Sequence, residues 1–283
     1  MPSSIEDTIQ ASSTELETSR TDTPRLFCDQ RFFQRKYLVD RCFGGVLLVL
    51  TSPLTLALYL LVKATSPGPG FYLQERVGLD GKTFLVVKLR SMRVDAEACG
   101  KAKWCGKNDP RVTRVGKVLR KLHLDELPQL WNVAKGEMSL IGPRPERPVI
   151  CESLAEKIPG YYRRITVKPG VTGLAQINLP PDESIEDVQR KQILDLHYIE
   201  ETNLWLETRI FCATALRVVG LQGETVMKWM RLCRLDVVNA GMADLVSVTI
   251  HGEDGAIMRL DRSEQCETWG AADSQHSNPN RPR

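Results

Sequence analysis

Two adjacent carboxylates, Asp125 and Glu126, lie in the stretch Leu122–Glu146, LHLDELPQLWNVAKGEMSLIGPRPE, with Arg120 just upstream and Arg144 near its end. An aspartate carboxylate is a competent nucleophile on phosphorus and gives an acyl phosphate. A diphosphate substrate needs cations and Mg²⁺ to offset its charge in the transition state. Arginine suits that task because its planar fork grips phosphate oxygens in pairs. Gly142-Pro143-Arg144-Pro145 sets Arg144 between two prolines, which stiffens the backbone that presents it. Pro128 is tolerated only in a first helical turn, so a helix is expected from near Asp125 to about Ala134, stopped by Gly136. Asp125 would then sit at or beside the N-cap, where free N–H groups and the helix dipole favour anions. Successive helix residues point about 100° apart. The two carboxylates therefore have different jobs, one facing a reacting phosphorus and the other holding a metal ion. The same pair also fits a second reading, a plain N-cap with Glu126 supporting the dipole.

These residues need elements to hold them. Asp109-Pro110 opens a helical pattern in which Val112, Val115, Val118 and Leu119 share a face, and Arg111, Arg114, Lys117, Arg120 and Lys121 fill the rest. Upstream, FYLQERVGLDGKTFLVVKLRSM reads as a hairpin turning at Asp80-Gly81. Lys88 and Arg90 place two cations near its second strand's end, or make it a surface hairpin with basic tips. Downstream, PGYYRRITVKPGVTGLAQ is a basic loop. Pro169-Gly170 and Gly173 allow tight turns that approach a nucleotide or phosphate, or form an ordinary turn pair. Residues 185–199 are amphipathic through Ile185, Val188, Leu196 and Ile199. Residues 204–219, with Trp205 and Arg209, are apolar enough to pack on the core and to lie at a bilayer interface.

Cys42–Val62 is an uncharged, apolar run, and about 20 such residues cross a bilayer as a helix. Two features oppose a simple span. Ser52-Pro53 lies near its middle, where proline removes a donor and the serine hydroxyl compensates a freed carbonyl. Basic residues flank both sides: Arg31, Arg35, Lys36 and Arg41 before, Lys63, Arg76 and Lys82 after. Basic flanks prefer the cytoplasmic side. A helix-break-helix that enters and leaves by one face satisfies both flanks, ahead of a full span or a buried soluble helix.

Residues 31–220 carry 29 bases against 20 acids, whereas residues 1–30 and 221–283 are net acidic. A basic middle fits anionic partners such as phosphorylated substrates or anionic lipid. Nucleic acid is disfavoured, since neither interleaved aromatics nor a groove-reading motif appears. A two-carboxylate glycosidase is disfavoured too, because adjacent carboxylates cannot flank a sugar at the ~5–9 Å spacing of such sites. Eight cysteines without a CxxC pair read as reduced thiols facing a cytoplasm. Residues 1–30 read as a disordered tail. Within 221–283, VMKWMRLCRL reads as a basic amphipathic helix, LVSVTIHGEDGAIMRL as a hairpin turning at Glu253-Asp254-Gly255, and SQHSNPNRPR as disordered.

The ordered series QERVGLDGKTF, KLRSM, DPRVTRVGKVLRKLHLDELPQLWNV, GEMSLIGPRPE and VKPGVTGLAQ closely resembles the bacterial sugar transferases, the monotopic polyprenyl-phosphate phosphoglycosyl transferases. The resemblance covers about residues 31–220, with Ser52-Pro53 and LDLHYIEETNLWLETRIF included. It implies that Asp125 is the nucleophile that takes a phospho-sugar from a UDP-sugar and releases UMP, and that Glu126 binds Mg²⁺. It implies that Arg120 and Arg144 meet the phosphates, with Lys88, Arg90 and Arg111 as weaker carry-overs. The phospho-sugar would pass to undecaprenyl phosphate, initiating exopolysaccharide or other glycan assembly. The expected fold is helix-rich α+β. It comprises a re-entrant membrane hairpin over 31–66, a compact cytoplasmic catalytic domain over 67–220 with short β-hairpins, and an extension over 221–283. This would be a short form of the family at the inner membrane, with room for a homodimer. A membrane-anchored basic scaffold that binds anionic lipid or a partner is the non-enzymatic alternative.

Overall fold

The computed structural model describes residues 29–94, 96 and 109–253. The expected tail over 1–30 lies outside them except for Asp29 and Gln30, and the expected disorder of SQHSNPNRPR lies outside them altogether. Helix α1 (Gln30–Thr65) begins where the Asp29 carboxylate accepts from the N–H groups of Arg31 and Phe32. A hairpin follows, β1 (Phe71–Val77) and β2 (Thr83–Leu89), antiparallel with Phe71 opposite Leu89 and Val77 opposite Thr83. Its turn is the expected Asp-Gly: Asp80 and Gly81 both take positive φ, 54° and 80°. Then come α2 (Arg114–Lys121), α3 (Gln129–Lys135), β3 (Ser139–Ile141), α4 (Pro148–Ala155), β4 (Gly170–Thr172), α5 (Leu174–Asn178), α6 (Ile185–Glu201), α7 (Leu204–Val218), α8 (Gly223–Trp229) and α9 (Leu235–Glu253). Strands β3 and β4 pair in parallel.

The main core gathers Phe33 of α1, Val86 of β2, Leu130 and Val133 of α3, Leu140 and Ile141 of β3, Tyr198 and Ile199 of α6, and Ile210 of α7. Asn132 of α3 is buried among them. It accepts from Val87 N–H at 3.1 Å and donates to the Leu85 carbonyl at 2.7 Å, so it takes the place of a neighbouring strand along β2. Helix α7 divides as its composition allows: Leu206, Ile210 and Ala213 are buried, while Leu204 and Trp205 are exposed.

Three expectations change here. Ser52-Pro53 does not split α1 into two helices, since α1 runs through Pro53 as one, and a turn of the chain there is a bend within the helix. Proline deletes the rung to the Val49 carbonyl, and the Ser52 hydroxyl donates to that same carbonyl at 2.7 Å. One lost donor with its acceptor still satisfied does not end a helix. The hairpin expected over LVSVTIHGEDGAIMRL is also absent up to Glu253, because those residues continue α9; the rest of it lies outside the described residues. VMKWMRLCRL is not one helix: α8 stops at Trp229, with Arg231 at φ 50°, and Leu232 turns into the core.

The unit Met1–Gly241 holds α1 at both ends. Near its start, Lys36 reaches Asp40 (2.6 Å), Ser139 (2.6 Å) and Glu207 of α7 (3.0 Å), all buried. Gly44 lies so close to α3 that a Cβ there would stand 2.6 Å from Val133. Near its end, Val62 is buried with Leu89 of β2 and Leu119 of α2. Between these anchors Val46, Val49, Leu50, Leu54, Leu56, Leu60 and Leu61 are exposed.

Candidate active site

Helix α2 is placed by a glycine. A Cβ on Gly116 would lie 1.9 Å from the Ser91 carbonyl, so only glycine lets α2 rest on the backbone leaving β2. One turn later Arg120 donates to Ser91 Oγ at 2.8 Å. The cap of α2 is Thr113, whose side chain accepts from Gly116 N–H, and not Asp109 as expected. Asp109 lies before Thr113, and its carboxylate instead accepts from the Arg111 guanidinium at 2.6 to 3.0 Å and from the Arg111 N–H at 2.9 Å.

The chain leaves α2 through His123, which takes φ 55°, and enters a tight 3₁₀ turn at Leu124–Glu126. Helix α3 starts only at Gln129, with Pro128 before it and Gly136 ending it at φ 87°. The stop was expected; the start was not. Asp125 is therefore in a turn preceding the helix, and the N-cap and dipole argument for it falls. With about three residues per turn, the 3₁₀ turn points the two successive carboxylates in different directions.

Glu126 is tied down. Lys88 reaches its Oε1 at 3.0 Å and Arg144 reaches Oε1 at 2.6 Å and Oε2 at 3.4 Å. Burial pushes its pKa up, but Arg144 and Lys88 outweigh burial and hold it well below the usual carboxylate range. Asp125 is the reverse. Its residue is only 7 % exposed, and among the described residues no hydrogen bond or ion pair engages its carboxylate. Burial and then the neighbouring Glu126 charge raise its pKa, while Lys88, Arg120 and Arg144 pull it back. Burial also lowers the pKa of Lys88, against the pull of Glu126.

Arg144 is presented by a loop built from close backbones. Gly142 N–H donates to the Thr172 carbonyl and Gly170 N–H to the Pro143 carbonyl, both at 2.9 Å. A Cβ on Gly170 would lie 2.1 Å from Gly142 N, and one on Gly173 would lie 2.2 Å from the Gly142 carbonyl. These glycines thus approach their own chain, as the turn-pair reading of Pro169-Gly170 and Gly173 has it. Arg164 supports the same loop from beneath. It donates to the Arg144 carbonyl at 3.0 Å and pairs with Asp195 at 2.7 Å, and both partners of that pair are buried.

Lys88, Arg90, Arg111, Arg120, Asp125, Glu126 and Arg144 all line one cavity of about 1130 Å³. Ser52 and Pro53 do not; they lie on the exposed middle of α1. Tyr72, Gln74 and Arg76, alternate residues of β1, form a further wall that sequence reasoning missed. Arg76 donates to Gln74 (2.5 and 3.1 Å), to the Pro145 carbonyl (2.8 Å) and to Glu146 (3.3 Å). The signal was available: period-two alternation puts these three beside Lys88 once the Asp-Gly turn fixes the register.

Among the described residues no group of three or more His, Cys, Asp or Glu gathers to hold a metal. Mg²⁺ needs less, since it is usually bound by one or two carboxylates together with substrate phosphates and water. Glu126 fits that lesser requirement, because its Oε2 has only a long 3.4 Å contact to Arg144.

A family model described as bacterial sugar transferase matches residues 30–221. The chain is 43 % identical over 194 residues to a UDP-glucose:undecaprenyl-phosphate glucose-1-phosphate transferase of Xanthomonas campestris pv. campestris, covering 68 % of this chain and 40 % of that protein. It is 44 % identical over 176 residues to a UDP-N-acetylgalactosamine-undecaprenyl-phosphate N-acetylgalactosaminephosphotransferase of Aeromonas hydrophila, covering 62 % and 41 %. A UDP-glucose:undecaprenyl-phosphate glucose-1-phosphate transferase of Caulobacter vibrioides is 38 % identical over 208 residues, covering 71 % and 75 %. The chain thus spans about two fifths of the length of the first two relatives.

Proposed function

This chain belongs to the bacterial sugar transferase family, and from that premise we propose that it transfers a phospho-sugar from a UDP-sugar to a polyprenyl phosphate, undecaprenyl phosphate in bacteria, through a covalent intermediate on Asp125. The observation that carries this reading is the contrast within the carboxylate pair. Glu126 is locked between two cations, while the Asp125 carboxylate is unengaged among the described residues and faces a basic cavity.

In the first half-reaction the Asp125 carboxylate attacks the sugar-bearing phosphorus of the UDP-sugar. The bond from that phosphorus to the bridging oxygen breaks, and UMP leaves with the electron pair. In the second, a phosphate oxygen of the lipid attacks the same phosphorus. The bond to Asp125 breaks, and a sugar diphospholipid forms. Neither step consumes a proton, since carboxylate and phosphate both attack as anions. Arg120 and Arg144 offset charge on the transferring group. Lys88 holds Glu126, and the Glu126 carboxylate is the group best placed to carry Mg²⁺. When bound, that ion would neutralise diphosphate charge.

The fold supports a re-entrant placement of α1. A straight helix of its length would run about 54 Å, enough to cross a bilayer. Yet both ends are held by one unit, through Lys36 and Gly44 on one side of Pro53 and Val62 on the other. A helix whose two ends share one globular body enters and leaves by one face. On this reading the exposed apolar middle dips into the cytoplasmic leaflet of the inner membrane, and the site serves glycan initiation there. Which sugar is moved does not follow from the relatives, whose names specify two different sugars.

Screening UDP-sugars for UMP release by membrane fractions tests the reading. One UDP-sugar should release UMP in an undecaprenyl-phosphate-dependent manner, and Asp125→Asn should abolish that release. If no UDP-sugar works, and the protein instead retains partner or lipid binding indifferent to Asp125→Asn, it is a scaffold.

A further inference from the structure

A second group of buried polar side chains lies outside the cavity, and the mechanism above does not use it. Lys36 and Asp40 of α1, Ser139 of β3, Tyr198 of α6 and Glu207 of α7 are each at most 7 % exposed. The Lys36 ammonium donates to Asp40 (2.6 Å), to Ser139 Oγ (2.6 Å) and to Glu207 Oε2 (3.0 Å). Two hydroxyl protons remain, one on Ser139 and one on Tyr198, and each has two acceptors in reach. Ser139 Oγ meets Asp40 and, at 3.0 Å, the Ile141 carbonyl. The Tyr198 hydroxyl meets Glu207 Oε1 and, at 3.1 Å, the same Ile141 carbonyl.

That carbonyl ends β3, and the next three residues are Gly142, Pro143 and Arg144. Two prolines bracket Arg144, so a shift at Ile141 is passed along the loop and not absorbed by it. A carboxylate outcompetes a carbonyl for a hydroxyl proton. The Ser139 proton therefore goes to Asp40, and the hold on the Ile141 carbonyl falls to Tyr198. Tyr198 can supply it only if Glu207 does not take the same proton. Within the group one ammonium also faces two carboxylates, and an uncompensated buried charge is costly. A proton on Glu207 removes both conflicts. It belongs on Oε1, because Oε2 accepts from Lys36, which can only donate. Burial raises the Glu207 pKa against the pull of Lys36, and burial raises that of Tyr198, so the phenol keeps its proton.

Resting on the phosphotransfer reading above, we propose that Tyr198 and Glu207 are positioning residues for Arg144. A protonated Glu207 donates to the Tyr198 oxygen, and Tyr198 is thereby left to donate to the Ile141 carbonyl and hold the loop that presents Arg144. Neither side chain touches substrate. Thr202 Oγ1, which donates to Glu207 Oε1 at 3.1 Å, uses the lone pair that the proton leaves on that oxygen.

A double-mutant cycle on the full chain in phospholipid vesicles separates this from a structural role, with UMP release measured well below every variant's melting temperature. Tyr198→Phe deletes the hydroxyl and keeps the buried ring. Its kcat should fall about 3- to 10-fold, the scale of one buried hydrogen bond. In an Arg144→Lys background, which keeps the charge and loses the paired grip, the same substitution should cost less than about 2-fold, since its effect runs through Arg144. Glu207→Gln should fall less than Tyr198→Phe. Lys36 draws the amide oxygen toward itself, so the amide N–H faces Tyr198 as the protonated carboxylate does, and the Ile141 contact survives. An equal fall from Tyr198→Phe in both backgrounds would make Tyr198 a mere brace of the core and overturn the proposal, as would an unchanged kcat. A fall from Glu207→Gln as deep as that from Tyr198→Phe would show Glu207 working as an anion and overturn it too. If wild type released no UMP from any UDP-sugar, the phosphotransfer reading would fail first and take the proposal with it, a distinct result.

Discussion

Asp125 and Glu126 are neighbours with opposite electrostatic fates, and each fate has a measurable consequence. Burial raises the Asp125 pKa above its ordinary 3.8, so the ionised form is disfavoured in the folded protein. That penalty is present above the raised pKa and relieved as pH falls through it. Asp125→Asn should therefore melt at a higher temperature than wild type near pH 7.5, even though it abolishes turnover; a lower melting temperature would contradict the assignment. The acid limb of UMP release should lie above that of a free aspartate. Arg120→Gln, which removes one of the charges that pull the pKa down, should move the limb further up. Glu126 has the opposite sign. Its depressed pKa contributes stability that is full above about 4.5 and is lost as pH falls through that value and below. Glu126→Gln should flatten the acid side of the stability curve, as followed by thermal melts from pH 3 to 7.

Among the elements, the hairpin was legible because Asp80-Gly81 dictates a turn and the alternation around it fixes the register. The stop of α3 at Gly136 was legible for the same kind of reason, a residue that tolerates left-handed backbone. Its start was not. Pro128 marks a first turn, but the sequence does not show that His123 takes φ 55° and feeds a 3₁₀ turn ahead of the helix. Gly170 and Gly173 stayed between two readings because a close approach of backbone to backbone looks, in sequence, like a close approach to a ligand. Their role makes a prediction. Gly170→Ala puts a methyl 2.1 Å from Gly142 N, so the strand pair must part and the Arg144 loop must move with it. A destabilisation of about 1–3 kcal/mol is expected for such overpacking, with UMP release falling by more than stability alone explains. Denaturant titration beside initial rates would separate the two effects. Pro53→Ala should leave stability in detergent nearly unchanged, because Ser52 already satisfies Val49.

For the molecule as a whole, the family match ends at residue 221 but the core does not. Val226, Met227 and Leu232 beyond it are buried with the main core, and Arg209 reaches back to the carbonyls of Met230 and Arg231. Cutting the chain after residue 221 removes these three side chains, each worth about 1.5–3 kcal/mol when buried, and uncovers the core surface they pack on. The truncated protein should lose its cooperative thermal transition. An unchanged melt would show that α8 is an ornament. The proposed re-entrant placement rests on the flanking charges of Cys42–Val62 and on the anchors at Lys36 and Val62. Cysteine labelling at residues 35 and 63 from the cytoplasmic face should mark both; labels on opposite faces would contradict a re-entrant helix.

Everything turns on whether Asp125 carries the phospho-sugar. Mass spectrometry of the purified protein after incubation with its UDP-sugar, without lipid acceptor, addresses this directly. The account predicts a single adduct of one phospho-sugar, on the peptide bearing Asp125, formed as UMP is released and discharged when undecaprenyl phosphate is added. Transfer to the lipid at an undiminished rate by Asp125→Asn, or an adduct on any other residue, would contradict it.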